Sequence, residues 1–447
     1  MNTQKKFNLS PLQTLAIGFA VIIFMGSLLL WLPISSRGSS LSFLEALFTA
    51  TSATCVTGLV IFDTYTQFTF FGQLVIIILI QIGGLGFMTV AVMFFMALGK
   101  RIGLKERVNL MEAMNSMQIG GIVRLAKRIL IATASIELIG AGLLMIRFIP
   151  QFGVGQGIWF SFFHAISAFC NAGFDLMGAI SPYTSLTPFV GDTFVIIVII
   201  LLIVIGGIGF LVWNDIAEHK HHIFHYRLHS KIILMATLSI IILSTALFLV
   251  IEWNHAFSHM NFGEKLLAAT FTAVTPRTAG FHTIPITALT EAGSGFTIIL
   301  MIIGAGPGST AGGIKITTMI VMFFAMIGHV RGDSDINIFG RRIEGDIVRK
   351  AYDTALFYLF LAFIGTLIIL SVQNFTLHDV LFESFSAIGT VGLSRGITAS
   401  LSSVSRWVII VLMYSGRVGS MAVAMAFVER KHPNGHLRNP AEKIIVG

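Results

Sequence analysis

The sequence predicts an all-α integral membrane protein built from four covalently linked repeats around a pseudo-fourfold axis. Each repeat is expected to contain a span, a re-entrant loop with a half-helix, and a second span. This gives eight transmembrane helices and four re-entrant half-helices. Three observations carry the prediction: the composition, a series of long apolar runs, and a short glycine-ended segment that recurs between the runs.

The composition restricts the class of protein. Hydrophobic residues make up 55% of the 447 positions, and charged residues only 11%. A soluble protein of this composition would expose large apolar patches, whereas several helical spans would face lipid. The net charge of +8 would suit nucleic acid, but the basic residues lie in short loops between apolar runs, where membrane orientation explains them. Two cysteines, Cys55 and Cys170, exclude a disulfide framework, and we expect them to be small packing residues.

Eight long apolar runs follow one another in pairs along the chain. A helix needs ~20 residues to cross a bilayer, and each run either reaches that length or approaches it. The runs are Pro11–Trp31, Leu74–Leu98, Ile129–Ile149, Thr193–Trp213, Ile232–Ile251, Phe296–Ile327, Ala355–Val372 and Trp407–Val428.

A shorter segment that ends in glycine lies between the two runs of each pair. Its apolar part is too short for a span and has about the length of a re-entrant half-helix. The four glycines are 115, 107 and 112 residues apart by subtraction of their positions, and each precedes Leu or Phe. Such a near-constant period indicates internal repetition. The four endings are Thr54-Cys-Val-Thr-Gly58, Ser167-Ala-Phe-Cys-Asn-Ala-Gly173, Thr275-Pro-Arg-Thr-Ala-Gly280 and Ser386-Ala-Ile-Gly-Thr-Val-Gly392.

The charge of the linkers predicts the topology. All three linkers between repeats are basic, as are both ends of the chain. Three crossings per repeat would place successive linkers on alternate sides, so uniform charge favours an even number of crossings and cytoplasmic termini. The predicted divisions are repeat 1 (1–98), a basic linker with repeat 2 (99–217), repeat 3 with a broken second helix (218–327), and repeat 4 with a C-terminal tail (328–447).

The half-helices suggest a chemistry. Four parallel units could aim the partly negative C-terminal ends of their half-helices at one cavity. The backbone that follows would then supply carbonyl oxygens, which can replace the hydration shell of a cation. No Asp or Glu occurs in the five residues before any of the four glycines. A divalent site would require carboxylates there, so a monovalent cation is favoured.

With these residues the chain resembles the Trk/Ktr/HKT superfamily of cation transporters, and within it the membrane subunits of Ktr-type potassium-uptake systems. The resemblance covers nearly the whole chain. Its most specific parts are Thr54-Cys-Val-Thr-Gly58, Gly304-Ala-Gly-Pro-Gly-Ser-Thr-Ala-Gly-Gly-Ile-Lys315 and Tyr414-Ser-Gly-Arg417.

The resemblance implies a pore loop with a filter glycine in each repeat, and glycine at position 58 goes with potassium preference. Asn171-Ala172 and Arg277-Thr-Ala279 depart from the potassium-channel pattern, which predicts a looser, asymmetric filter. The expected K⁺-filter residues are Cys55, Val56, Thr57, Gly58, Cys170, Asn171, Ala172, Gly173, Arg277, Thr278, Ala279, Gly280, Thr390, Val391 and Gly392.

Arg277 is the one charged member of this set. A cation that faced the pore would repel the transported ion, so we expect its side chain to point outward to a carboxylate. Four carboxylates are candidates that the sequence does not rank: Glu45, Asp175, Asp379 and Glu383.

The sixth run is interrupted by a stretch rich in glycine. Non-helical backbone at membrane depth must be buried in protein or line the water path, and a lysine there costs ~3 kcal/mol or more in lipid. We expect an intramembrane gate below the filter, with a packing kink as the alternative. Arg417, within the last run, is expected to partner the gate or to form an electrostatic barrier, and the alternative is a purely structural pair. The expected gate residues are Gly304, Gly306, Pro307, Gly308, Gly312, Gly313, Lys315 and Arg417.

The predicted function is potassium uptake through a gated pore in a bacterial plasma membrane, without enzymatic activity. No nucleotide is expected on this chain, because Gly313 is followed by Ile314 where a phosphate-binding loop needs Lys. The sequence leaves a sodium-coupled or sodium-stimulated mode open. The resemblance implies a homodimer with one pore per protomer, and separate nucleotide-binding subunits that form a cytoplasmic ring. Membrane lipid is the remaining expected partner, and nucleic acid is not expected.

Two other classes of function fit the sequence less well. An alternating-access transporter for another cation or small solute would need inverted or paired repeats and discontinuous spans in matching halves, whereas only one run is clearly interrupted. A membrane enzyme would need a cluster of acids, bases or metal ligands, and only scattered ionisable residues occur within the runs.

Overall fold

A computed structural model describes residues 11–86 and 122–419, apart from 221 and 334, together with positions 89, 103, 108 and 111. Apart from those four positions, residues 87–121, which hold the last part of the run Leu74–Leu98 and most of the first basic linker, lie outside the described residues, and so does everything after residue 419.

The same succession of helices occurs four times in the described chain. A long helix is followed by a half-helix, a glycine-ended turn and another helix. The first unit has α1 (Pro11–Trp31), half-helix α2 (Phe43–Thr54), the short α3 (Thr64–Gln67) and α4 (Phe70–Leu85). The second has α5 (Ile122–Phe152), half-helix α6 (Val154–Phe169), α7 (Thr193–Gly207) and α8 (Phe210–His219). The third has α9 (Leu228–Glu252), half-helix α10 (Phe262–Val274), α11 (Glu291–Ile302) and α12 (Ile316–Arg331). The fourth has α13 (Gly345–Val372), half-helix α14 (Leu377–Gly389) and α15 (Ser403–Val418), and it follows a hairpin of β1 (Asn337–Ile338) and β2 (Arg341–Arg342).

Side-chain caps fix where the half-helices begin. Ser42 and Glu45 form a capping box at α2, and Asn261 and Glu264 form another at α10. Each box satisfies backbone N–H groups that a helix start leaves without partners. At α14 the hydroxyl of Thr376 accepts from a backbone N–H one turn later.

The length and hydropathy of the helices show a multi-pass membrane protein. In the described chain, α1, α5, α9 and α13 are each long and apolar enough to cross a bilayer. α7 and α8 pass this test only as a pair, and they are bent by 95°. α4, α11 and α12 are shorter apolar helices. The count of eight spans therefore stays a prediction.

The second helices are more broken than expected. The interruption in the sixth run is confirmed, because no helix covers 303–315. The run Thr193–Trp213 is also interrupted, although only the sixth run was expected to be clearly broken: α7 ends at Gly207, and Gly209, with φ of 98°, turns the chain into α8. α4 also ends at a glycine, Gly86, whose φ of 77° favours a residue without a side chain.

The four units close into a ring. Each first helix packs on its own half-helix: α1 on α2, α5 on α6, α9 on α10, and α13 on α14. Each second helix then contacts the half-helix of the next unit: α4 contacts α6, α7 contacts α10, α11 contacts α14, and α15 contacts α2. This cyclic packing brings the ends of the half-helices together at the centre.

Candidate functional site

The four glycine-ended turns meet at the centre of this ring. We call residues 55–58, 170–173, 277–280 and 390–392 the tip segments. A methyl group added to any of the four glycines would press on the backbone of a neighbouring tip. The closest approaches of such a Cβ are 2.5 Å from Gly58 to the Ala172 oxygen, 2.8 Å from Gly173 to the Gly280 Cα, 2.8 Å from Gly280 to the Val391 oxygen, and a clash between Gly392 and the Thr57 oxygen.

The structure brings all fifteen expected filter residues to this place, and all are buried except the partly exposed Gly392. The two cysteines are free thiols. The side chain of Cys170 points away from the ring, toward Gln81 and Glu137. This residue therefore reaches the centre through its backbone.

The backbone of each tip bends in the same way. The glycine has positive φ, and so does the residue two positions before it: Val56 (56°), Asn171 (57°), Thr278 (71°) and Thr390 (51°). A β-branched residue in this region is a genuine outlier, and each such residue costs about 1–3 kcal/mol. Backbone strain of this kind persists only where the surroundings hold it, and it concentrates at functional sites.

Hydroxyl groups on the half-helices hold these turns. In the first and fourth units the hydroxyls of Ser52 and Ser386 each accept from the N–H of the tip glycine at 3.1 Å. In the second and third units the hydroxyls of Ser167 and Thr275 instead donate to the carbonyl of the residue after the glycine. Sequence reasoning missed these residues, although a hydroxyl five or six positions before each glycine was a usable signal.

A cavity of about 330 Å³ opens at one end of the tip ring, and we call it the vestibule. All four tip glycines line it, together with polar side chains that include Asp175 and Arg395. The guanidinium of Arg395 bonds the Asp379 carboxylate at 2.7 Å and the Ser294 hydroxyl at 3.0 Å. Burial alone would raise the pKa of Asp379, but hydrogen bonds from Thr376 and Arg395 lower it.

The loop 303–315, which we call the broken-span loop, lies at the other end of the ring. It is held by backbone bonds to the glycine-rich end of α7: Gly306 N–H donates to the Gly207 oxygen, and Phe210 N–H donates to the Gly308 oxygen, both at 2.8 Å. Beneath the fourth tip, a Cβ on Gly312 would clash with the Thr390 hydroxyl. Gly304, Gly306 and Gly312 are buried, whereas Pro307, Gly308 and Gly313 are partly exposed.

Two basic side chains bind this region. Arg417 donates to the carbonyl oxygens of Thr310 in the broken-span loop and of Gly83 and Gly84 at the end of α4. Lys315 donates to the loop's own carbonyls, at 2.8 Å from Ala311 and 3.3 Å from Gly312. Arg417 is partly buried, and its acceptors are main-chain oxygens, which tie the last helix to the loop.

Arg277 departs from expectation. Its guanidinium donates to the hydroxyl of Thr237 on α9 at 3.0 Å, so it points outward. Within the described residues Arg277 makes no ion pair, so the prediction of a carboxylate partner is wrong. Each candidate carboxylate binds a different group instead: Glu45 binds Arg406, Asp175 the Met177 N–H, Asp379 Arg395, and Glu383 the hydroxyls of Ser394 and Thr398.

Three comparisons with known proteins found similar proteins over nearly the whole chain. The family model described as "TrkH: Cation transport protein" matches residues 9–438. The chain is 43% identical to the Ktr system potassium uptake protein B of Bacillus subtilis over 98% of this chain and 97% of the relative. It is 41% identical to the potassium/sodium uptake protein NtpJ of Enterococcus hirae, over 100% and 99% of the two chains.

The fold also matches a solved structure. The potassium transporter TrkH from Vibrio parahaemolyticus superposes with a TM-score of 0.76 at 17% identity, over 96% of this chain and 87% of that chain. A match to a transport family over nearly the whole chain also sets aside the membrane-enzyme alternative. The chain belongs to the TrkH family of cation transport proteins.

Proposed function

We propose that this protein takes up potassium through a gated pore along the axis of the four units. The observation that carries the proposal is the meeting of four tip segments below one vestibule that all four glycines line. The choice of potassium as the ion rests on relatives that are named as potassium uptake proteins, because carbonyl geometry alone does not identify the ion.

The tip segments act as the selectivity filter in this proposal. Their carbonyl oxygens would replace water around a bare monovalent cation, and no carboxylate within the tips would hold a divalent ion. A membrane potential supplies ~2.3 kcal/mol per charge per 100 mV, which suffices for inward accumulation without an ATPase on this chain.

The broken-span loop acts as the gate. It lies under the filter, lacks helical hydrogen bonds of its own, and is anchored by Arg417 and by α7. Release of these anchors would open the path, whereas a packing kink would need no such shared support.

The remaining parts of the proposal concern partners and orientation. The vestibule faces the outside of a bacterial plasma membrane, with both termini in the cytoplasm. Two protomers associate, each with its own pore, and nucleotide-binding subunits form a ring below them, as the system naming of two relatives suggests. Sodium is a second candidate ion, favoured by the name of the potassium/sodium relative.

Complementation of a potassium-uptake-deficient bacterium tests the filter. The wild type should restore growth at low potassium, and Gly58→Ser should not, because a side chain there meets the Ala172 oxygen at a φ of 92°. Gly38→Ser is the matched control, since no atom lies within 4 Å of its added Cβ. Equal growth with Gly58→Ser and the wild type would contradict the filter assignment.

Rubidium flux into proteoliposomes tests the gate. Deletion of residues 306–313 should raise the resting flux, because the loop no longer covers the end of the tip ring. As a control for folding, the deletion variant must elute at the same volume as the wild type in size-exclusion chromatography. Resting flux equal to that of the wild type would reject the gate.

A further inference from the structure

A positive charge is buried directly beside the third tip segment. The side chain of Arg277 is 5% exposed and lies three residues before Gly280. Arg277 is the first residue of the third tip segment, so its own side chain joins the charge to the tip ring.

No acidic side chain among the described residues pairs with this charge. Its one hydrogen-bond partner is the neutral hydroxyl of Thr237, and its Nε has no partner at all. The adjoining cavity is lined by apolar side chains and backbone and has a volume of about 10 Å³, which is room for one water at most. Buried charges are normally paired, because desolvation without a partner is costly.

The charge also breaks the similarity of the four tips. The positions three before the glycine in the other units are Cys55, Cys170 and Gly389, none of which is basic. One quarter of the ring therefore repels a cation that the other three quarters attract.

We propose that Arg277 sets the affinity of the tip ring for cations, by holding an uncompensated positive charge behind the third tip. This rests on the proposed function. The repulsion acts through low-dielectric protein, where charges interact far more strongly than in water. A conducting site must bind well enough to admit an ion and weakly enough to release it. Arg277 moves this balance toward release.

Four variants distinguish the effect of the Arg277 charge from a structural role of Arg277 in supporting the backbone of the tip. Arg277→Met removes the charge, Arg277→Lys keeps it, and Thr237→Val removes the hydrogen bond alone. Lys265→Met is the matched control, since Lys265 is also buried, at 8% exposure, on the half-helix that leads to the third tip, but its ammonium donates to the Trp253 carbonyl and lies over the Trp253 ring.

The measurements are KM and maximal rate of rubidium uptake in proteoliposomes, and a KCl titration followed by thermal stabilisation. Arg277→Met should lower both KM and the apparent dissociation constant roughly three- to tenfold, with a slower maximal rate. Arg277→Lys, Thr237→Val and Lys265→Met should stay near the wild type. If Arg277→Met does not fold, Arg277→Gln takes its place.

An unchanged dissociation constant in the charge-free variant would overturn the proposal. So would an equal shift in Thr237→Val, because the role would then be support of the backbone. The titration needs no transport. A wild type that takes up no potassium would therefore refute the proposed function, while the titration would still decide the role of Arg277.

Discussion

Arg417 shows how one side chain can join separate parts of the pore. Its guanidinium reaches the broken-span loop through Thr310 and the end of α4 through Gly83 and Gly84. A planar guanidinium carries five N–H donors in a fixed geometry, which suits it to acceptors on two different segments.

Arg417→Gln should therefore raise the resting rubidium flux and lower regulated uptake, because the loop loses one of its anchors. Arg417→Lys should rescue the flux only in part, since a single ammonium cannot span both sets of carbonyls. A glutamine variant with normal uptake and normal resting flux would show that the pair is only structural.

Asp379 gives a pH-dependent prediction outside the spans. Because its pKa lies below the ordinary value of 3.8, its contribution to stability is complete above that value and is lost as the pH falls through the lower native pKa. Asp379→Asn should lower the free energy of unfolding by roughly 0.5–1 kcal/mol at pH 7, a small effect because the pair is partly solvated. Thermal unfolding of both proteins should show this difference at pH 7 and a progressively smaller one as the pH falls below 3.8. A difference that does not shrink with falling pH would exclude the carboxylate charge as its cause.

At the scale of elements, close contact between second helices and half-helices recurs around the ring. An added Cβ on Gly83 would clash with the carbonyl of Thr54, the last residue of α2. Gly206 and Gly416 have the same relation to the ends of α6 and α14. In the third unit the broken-span loop replaces this contact, because Gly304 faces the carbonyl of Ile314 within the loop.

Gly83→Ala and Gly416→Ala should each destabilise the protein by about 1–3 kcal/mol, since the methyl group meets rigid backbone. Gly295→Ala, on α11 with no atom within 4 Å, should instead stabilise it by up to ~1 kcal/mol. Unfolding midpoints in detergent measure all three. Equal midpoints for Gly83→Ala and Gly295→Ala would contradict the contact.

At the scale of the whole molecule, the ring closes where the last unit meets the first. Arg406 on α15 bonds Glu45 on α2 at 3.1 Å, and the Tyr414 hydroxyl donates to the Ala16 oxygen at 2.6 Å. The two charged side chains are only 16% and 18% exposed, so solvent screens the pair less than a surface pair.

A double-mutant cycle of Glu45→Gln and Arg406→Gln should give a coupling free energy of about 1 kcal/mol. The Glu45 variant should cost more by itself, because the same carboxylate also caps α2. The pair Arg147–Asp192, with Arg147 55% exposed, is the control and should couple by a few tenths of a kcal/mol. Coupling no larger than in the control would show that this ion pair does not hold the last unit against the first.

Much of this architecture could be predicted from local pattern. Length and hydropathy indicate helices such as α1, and a glycine after a short apolar segment indicates each tip, because the positive φ and the close approach of a neighbouring tip both favour glycine there. The interruption at 303–315 was visible for the same reason. Whether the tips are a filter and the loop a gate stays a proposal.

Other features depend on partners distant in sequence, which pattern does not supply. The bend at Gly209 has its reason in the broken-span loop, whose Gly308 oxygen accepts from Phe210. The outward side chain of Arg277 meets Thr237, forty positions earlier, rather than a carboxylate. Glu137, buried on α5, accepts a hydrogen bond from the Gln81 amide at 3.2 Å behind the second tip. The 56 positions between them in the sequence do not predict that contact.

The seam between α15 and α2 also has a consequence for biosynthesis. Its two ion-pair partners are 361 positions apart. At ~5–20 residues per second a ribosome needs roughly 20–70 s to deliver the second partner after the first. Throughout that interval the side of α2 that α15 will cover has no partner from this chain. Translocation machinery or lipid must cover it until the final helix is synthesised.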